Sequence, residues 1–155
     1  MSIAEYLKRE CIVVNPSSND KDALIKELAE RLLEHHPEVD RAEAMEALFE
    51  REKLMSTGIG EGVAIPHARI QSCSDVSMAF ALQRKGVDFN ALDSKPVKLV
   101  FLIFFPKEKV NLQLRTLAMV SRILQRGGLN KSLLKAESPE EVLDIFKKYE
   151  EAKHF

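Results

Sequence analysis

The chain has no tryptophan, two tyrosines and two cysteines among 155 residues. Cys11 and Cys73 lie far apart and form no Cys-x-x-Cys pair, so neither a disulfide framework nor a thiolate metal site is encoded, and two reduced, partly buried thiols are expected. An excess of either charge is also missing. The 23 basic and 24 acidic residues leave a formal net charge of −1, spread along the chain, which excludes the electrostatic footprint of a non-specific nucleic-acid binder while leaving a local docking face open. Long hydrophobic runs are absent as well. Residues 1–10 hold no signal-peptide core, and the longest apolar run, Leu99 to Phe105, is far short of the roughly 20 residues that span a bilayer. A cytoplasmic protein without membrane insertion is expected. Histidines are few, and the adjacent pair His35 and His36 would point about 100° apart on a helix, just before Pro37. They read as a solvated helix end, so no metal site is expected.

What is present suits one domain. A 45% hydrophobic content over 155 residues supplies a single core, whereas two domains would each be too small, so residues 1–155 are taken together. A short amphipathic turn with Ile3, Tyr6 and Leu7 inward precedes an apolar strand from Cys11 to Val14, which Asn15-Pro16-Ser17 breaks. Ala23, Leu24, Leu28, Leu32 and Leu33 recur at helical spacing between Lys21 and His35. Asp40 and Glu43 have capping-box spacing, predicting a second helix from Arg41 to about Lys53 with Ala44 and Leu48 inward. Val76, Met78, Phe80 and Leu82 then alternate with small residues, the period of a strand whose second face is closely packed. Arg84 to Pro96 reads as a connection with at most a short extended piece. Val97 to Phe105 is almost continuously apolar, as in a central strand covered on both faces. Helices are predicted over about Val110–Gln125, Asn130–Lys135 and from Ser138-Pro139 to Tyr149, the last burying Val142, Leu143, Ile145 and Phe146. Strands alternating with helices give an α/β sandwich: a central sheet with helices on both faces.

The functional signal lies in Gly60-Glu61-Gly62-Val63-Ala64-Ile65-Pro66-His67-Ala68-Arg69. Pro66 fixes its own φ and pushes Ile65 towards extended geometry, so Val63 to Ile65 reads as a short buried strand delivering His67 to a rim. Taken singly, a histidine after a buried strand is more often structural, Arg51 is a solvated helix residue and Ser56-Thr57-Gly58 is a turn. Together, with Arg51-Glu52-Lys53 sixteen residues upstream and Ser56-Thr57-Gly58-Ile59-Gly60 between, they resemble the signature of phosphotransferase-system IIA domains of the fructose/mannitol type, which include the nitrogen-regulatory IIA proteins. The resemblance in element order covers nearly the whole chain. It implies a mixed sheet, and a histidine at 67 that accepts a phosphoryl group from the phosphocarrier HPr and passes it to a IIB domain or holds it as a signal.

The residues suit that chemistry. A neutral imidazole is a nucleophile needing no separate base, and phosphoryl transfer asks the protein for positioning and electrostatic stabilisation. Arg51 offers a guanidinium fork, and Ser56 and Thr57 offer hydroxyls, as phosphoryl-binding groups. Many members of the family carry a second histidine in a His-Leu-x-x-Leu segment after the central strand; here it reads Gln113-Leu114-Arg115-Thr116-Leu117. Gln113 can donate a hydrogen bond but cannot carry charge, and Arg115, two positions along a helix, points about 200° away. The glycine pattern lacks the Gly-Lys-[Ser/Thr] ending of a P-loop and leads into a strand, which argues against nucleotide binding. The expectation is therefore a phosphohistidine relay in a regulatory role, for which no metal or organic cofactor is implied. The alternatives are a sugar-transport component donating to a IIB domain, a binding module recognised by its target whatever its phosphorylation state, and an unrelated hydrolase using His67 as base.

Overall fold

The computed structural model describes residues 1–151 of the chain. The apolar segments pair into one mixed, six-stranded sheet: β1 (Leu7–Val14), β2 (Gly58–Gly60), β3 (Val63–Ala64), β4 (His67–Ile70), β5 (Ser77–Val87) and β6 (Val97–Pro106). Their order is β1-β5-β6-β3-β2, with β4 also paired to β6. The β5–β6 and β2–β3 pairs are antiparallel, and the other three are parallel.

Two helices cover one face, α2 (Lys21–Glu34) and α3 (Arg41–Leu54). Against the other pack α1 (Ile3–Tyr6), α4 (Val110–Leu124), α5 (Leu129–Leu134) and α6 (Pro139–Glu151). The period-2 pattern of β5 and β6 sorts the residues between two cores. Phe80 and Phe101 stack at 4.8 Å and meet Phe146 of α6, each at 5.4 Å. Ala79 and Ala81 face the other way, where their small size lets Leu24, Ile25 and Leu28 of α2 sit close to the sheet. The alternation in β5 thus sets different helix distances on its two faces.

Several boundaries move. The first strand begins at Leu7 rather than Cys11, and the opening turn is the helix α1, whose Ile3 and Ala4 amides are held by Glu150 of α6. The strand read from Val76 to Leu82 continues as β5 to Val87, which pairs with Val97, so the short extended piece allowed after Arg84 belongs to β5 itself. His36 is not solvated: it is 8% exposed and its Nδ1 lies 3.0 Å from Leu32 O, within the turn that ends α2. The capping box at Asp40 is half realised. Glu43 N donates to Asp40 Oδ2, but the Glu43 carboxylate accepts from Gln71 N, Ser72 N and Ser72 Oγ, while Asp40 N donates to Ser72 Oγ. That exchange ties the start of α3 to the turn after β4. Both cysteines are buried and free.

The segment before His67 is a hairpin, in which the expected strand, β3, pairs with β2. Glu61 and Gly62 turn between β2 and β3 with φ of 57° and 77°, the sign that a two-residue type I′ turn requires at both positions. At Gly58 a Cβ would stand 2.9 Å from Ala91 Cβ, so a side chain there would force the hairpin off the 88–96 segment. The expected buried strand leads to His67 as β3, through Ile65 and Pro66, and His67 itself opens a further strand, β4. Its register places it opposite Ile103 of β6.

Candidate active site

Three conditions meet at His67: an edge strand, a helix end on either side, and a backbone carbonyl that fixes the ring. β4 pairs with β6 on one side, and its other side opens between the end of α3 and the first turn of α4. The cavity there measures about 430 Å³. Ala47, Glu50, Arg51 and Leu54 contribute from α3, His67, Ala68 and Arg69 from β4, Lys107 from the end of β6 and Gln113 from α4. The structure thus brings together Arg51, His67 and Gln113, which are far apart in the chain.

His67 is half-buried, and its Nδ1 lies 2.7 Å from Ile65 O. A carbonyl only accepts, so Nδ1 carries the hydrogen and the neutral ring presents its lone pair at Nε2. No hydrogen bond among the described residues engages Nε2. Burial pushes the imidazole below its ordinary pKa, and the Arg51 charge pushes the same way, against the Ile65 carbonyl and Glu52. The ring is therefore held neutral near pH 7. Phe105 meets it edge-on at 6.2 Å.

Behind His67 runs a chain of bonds that fixes Ile65. Ile65 N donates to Thr57 O at 3.0 Å, and Thr57 is clasped by the buried Glu52, its amide at 2.9 Å and its hydroxyl at 2.6 Å. Lys21 of α2 completes the pair, Nζ to Glu52 Oε2 at 2.8 Å, with its charge over the Phe89 ring. Ser56 Oγ donates to Phe89 O and accepts from Gly58 N. This corrects the reading of Ser56 and Thr57 as phosphoryl-binding hydroxyls: neither lines the His67 cavity, and each has its hydrogen committed elsewhere. They shape the loop.

Arg51 donates from Nη1 to Met55 O at 2.8 Å, closing the end of its own helix and leaving further N–H groups towards the cavity. Arg115 lines a separate cavity with Asp75, as its helical angle requires. Sequence reasoning missed Glu52, Arg69 and Lys107. Arg69 was legible as the residue two after His67 on one strand, which places both on the same face. Lys107 was not, because only the pairing of β4 with β6 carries it to the site. A larger cavity of about 520 Å³ lies elsewhere, between Ile59 and Val63 of the hairpin and Leu124 and Asn130, and holds none of these residues. Among the described residues no group of three or more His, Cys, Asp or Glu is placed to hold a metal, and no helix is long and apolar enough to cross a membrane.

Residues 5–149 match the family described as phosphoenolpyruvate-dependent sugar phosphotransferase system, EIIA 2. The fructose-specific EIIABC component of Bacillus subtilis is 37% identical over 150 residues, covering 97% of this chain and 24% of that protein. The chain therefore spans about a quarter of that relative's length. The fructose-specific EIIA component of Haloferax volcanii is 42% identical over 106 residues, 68% of this chain and 69% of that one. Among solved structures, the nitrogen regulatory protein IIA-Ntr from Neisseria meningitidis superposes with a TM-score of 0.85 at 35% identity, covering 93% of this chain and 98% of its own.

Proposed function

We propose, from the premise that this chain belongs to the EIIA 2 family of the phosphoenolpyruvate-dependent sugar phosphotransferase system, that it relays a phosphoryl group on His67 Nε2 in a regulatory role. The donor is a phosphorylated carrier of the HPr type. The Nε2 lone pair attacks phosphorus, the phosphorus–Nε2 bond forms as the bond to the carrier breaks, and the carrier atom keeps the departing electron pair. No base is needed, because neutral Nε2 has no proton to lose, and Nδ1–H stays on Ile65 O throughout. The charge spread over the equatorial oxygens is met by Arg51 N–H groups and the Gln113 amide. Exposed Leu54, at the cavity wall, offers the apolar contact a protein donor needs.

The observation that carries this reading is the 2.7 Å contact between Nδ1 and Ile65 O, with Nε2 unengaged beside Arg51 and Gln113. The regulatory role is supported by the likeness to IIA-Ntr. A second reading, donation to a IIB domain in sugar transport, is favoured by the identity to the fructose-specific components. The test is incubation with phosphoenolpyruvate, enzyme I and HPr, read by intact mass, with His67→Ala as control. One added phosphoryl group, lost in the variant, supports the relay; none with the cognate carrier overturns it. Onward transfer to candidate IIB domains then separates transport from regulation.

A further inference from the structure

We infer that Arg69 and Lys107 form a cationic clamp for the phosphoryl group on His67, supplying the charge that Gln113 cannot. The inference rests on the proposed relay and assigns two residues to it.

Strand geometry places both. His67 and Arg69 are two apart on β4, where the period of 2 puts them on one face, about 6.6 Å apart along the strand. His67 lies opposite Ile103 and Arg69 opposite Phe105 of β6. Ile103 and Phe105 share that face, and Lys107 follows directly after the end of β6. Lys107 N donates to Ile70 O at 3.1 Å, the last bond of the β4–β6 ladder, which holds the lysine backbone at the cavity. The clamp is therefore set by the sheet register and not by a free loop.

The charges are available. Both side chains are exposed, and neither makes an ion pair or hydrogen bond among the described residues. Arg51, by contrast, has one Nη on Met55 O. Glu50 is the sole acid among the residues lining the cavity. Glu43, whose carboxylate lies within electrostatic range of Lys107, is occupied by Gln71 N and the Ser72 amide and hydroxyl. A phosphoryl group brings about two negative charges, and an opening lined by three cations and one acid fits that ligand. Both side chains are long enough to swing onto its oxygens once it stands outward from Nε2.

The experiment measures the transfer equilibrium between phosphorylated HPr and this protein by intact mass, and the lifetime of the phosphorylated form. It compares the natural chain with Arg69→Met/Lys107→Met and with the charge-keeping pair Arg69→Lys/Lys107→Arg. Thermal unfolding of all three serves as the folding control. The clamp predicts that the methionine pair shifts the equilibrium about tenfold towards the carrier and shortens the lifetime by a similar factor, while the charge-keeping pair stays close to the natural chain. If the natural chain is phosphorylated and the methionine pair holds the group equally well, the clamp is wrong and the relay stands. A natural chain that takes up no phosphoryl group removes the relay and the clamp with it.

Discussion

The Nδ1–H of His67 is fixed by a single carbonyl, and that assignment decides which nitrogen can react. Because burial and the Arg51 charge lower its pKa, the ring should titrate with a midpoint below 6.5 and remain in the Nδ1–H form above it, which nitrogen-detected NMR across pH 4–8 would show. The sign for stability follows. Below about 6.5 the unfolded chain takes up this proton more readily than the folded one, so the contribution of the neutral ring is lost as pH falls through that range. On the proposed relay, phosphoryl acceptance should weaken in the same window, and be flat above it. Replacing Arg51 by Ala removes a preorganised cation and should slow phosphorylation by HPr about 100-fold, in a rapid-quench assay, with little change in melting temperature. Glu52 behaves oppositely. Its side chain is 6% exposed and its partner Lys21 18%, so Glu52→Ala strands a charge and two Thr57 donors and should cost about 3–5 kcal/mol in urea unfolding.

Among the elements, caps and short strands decide where the helices start and where the site lies. Asp20 accepts from Ala23 N at 2.9 Å at the start of α2, and Asp20→Ala should cost about 1 kcal/mol, measurable by the same unfolding series. The start of α2 also carries Lys21, so the variant should loosen the Glu52–Thr57 clasp and slow phosphorylation through a segment remote from the ring. β4 is only four residues long, but its alternation buries Ala68 and Ile70 and turns His67 and Arg69 outward. The long helices and β6 were legible in the sequence because their periodic apolar faces are extended enough to stand out. β2 and β4 were not: strands of three and four residues carry too few positions for a period, and the pairing that makes them strands comes from β3 and β6.

For the whole molecule, β6 is the organising element, since it pairs with β3, β4 and β5 and contributes to both cores. Its amides from Val100 to Phe104, and those of Ser77 to Ala81 opposite, should show the slowest hydrogen exchange in the chain, at or near the global unfolding free energy. Phe101→Ala opens a cavity against Phe80 and Phe146 and should cost about 3–5 kcal/mol. Faster exchange in β6 than in α6 would contradict this organisation.

By itself the sequence determined the kind of chain this is: a balanced, disulfide-free α/β domain whose glycine-proline signature marks His67. Local preferences suffice for that, because helix periods, caps and a proline beside a histidine act over a few residues. Only the tertiary structure decided that Thr57 and Ser56 spend their hydroxyls on Glu52 and Phe89 O, and that His36 is buried. It also decided that Lys107, forty residues from His67, shares its cavity. The physical reason is common to all three: burial, hydrogen-bond commitment and strand register are pairwise properties of distant segments, and no periodicity along one segment encodes its partner.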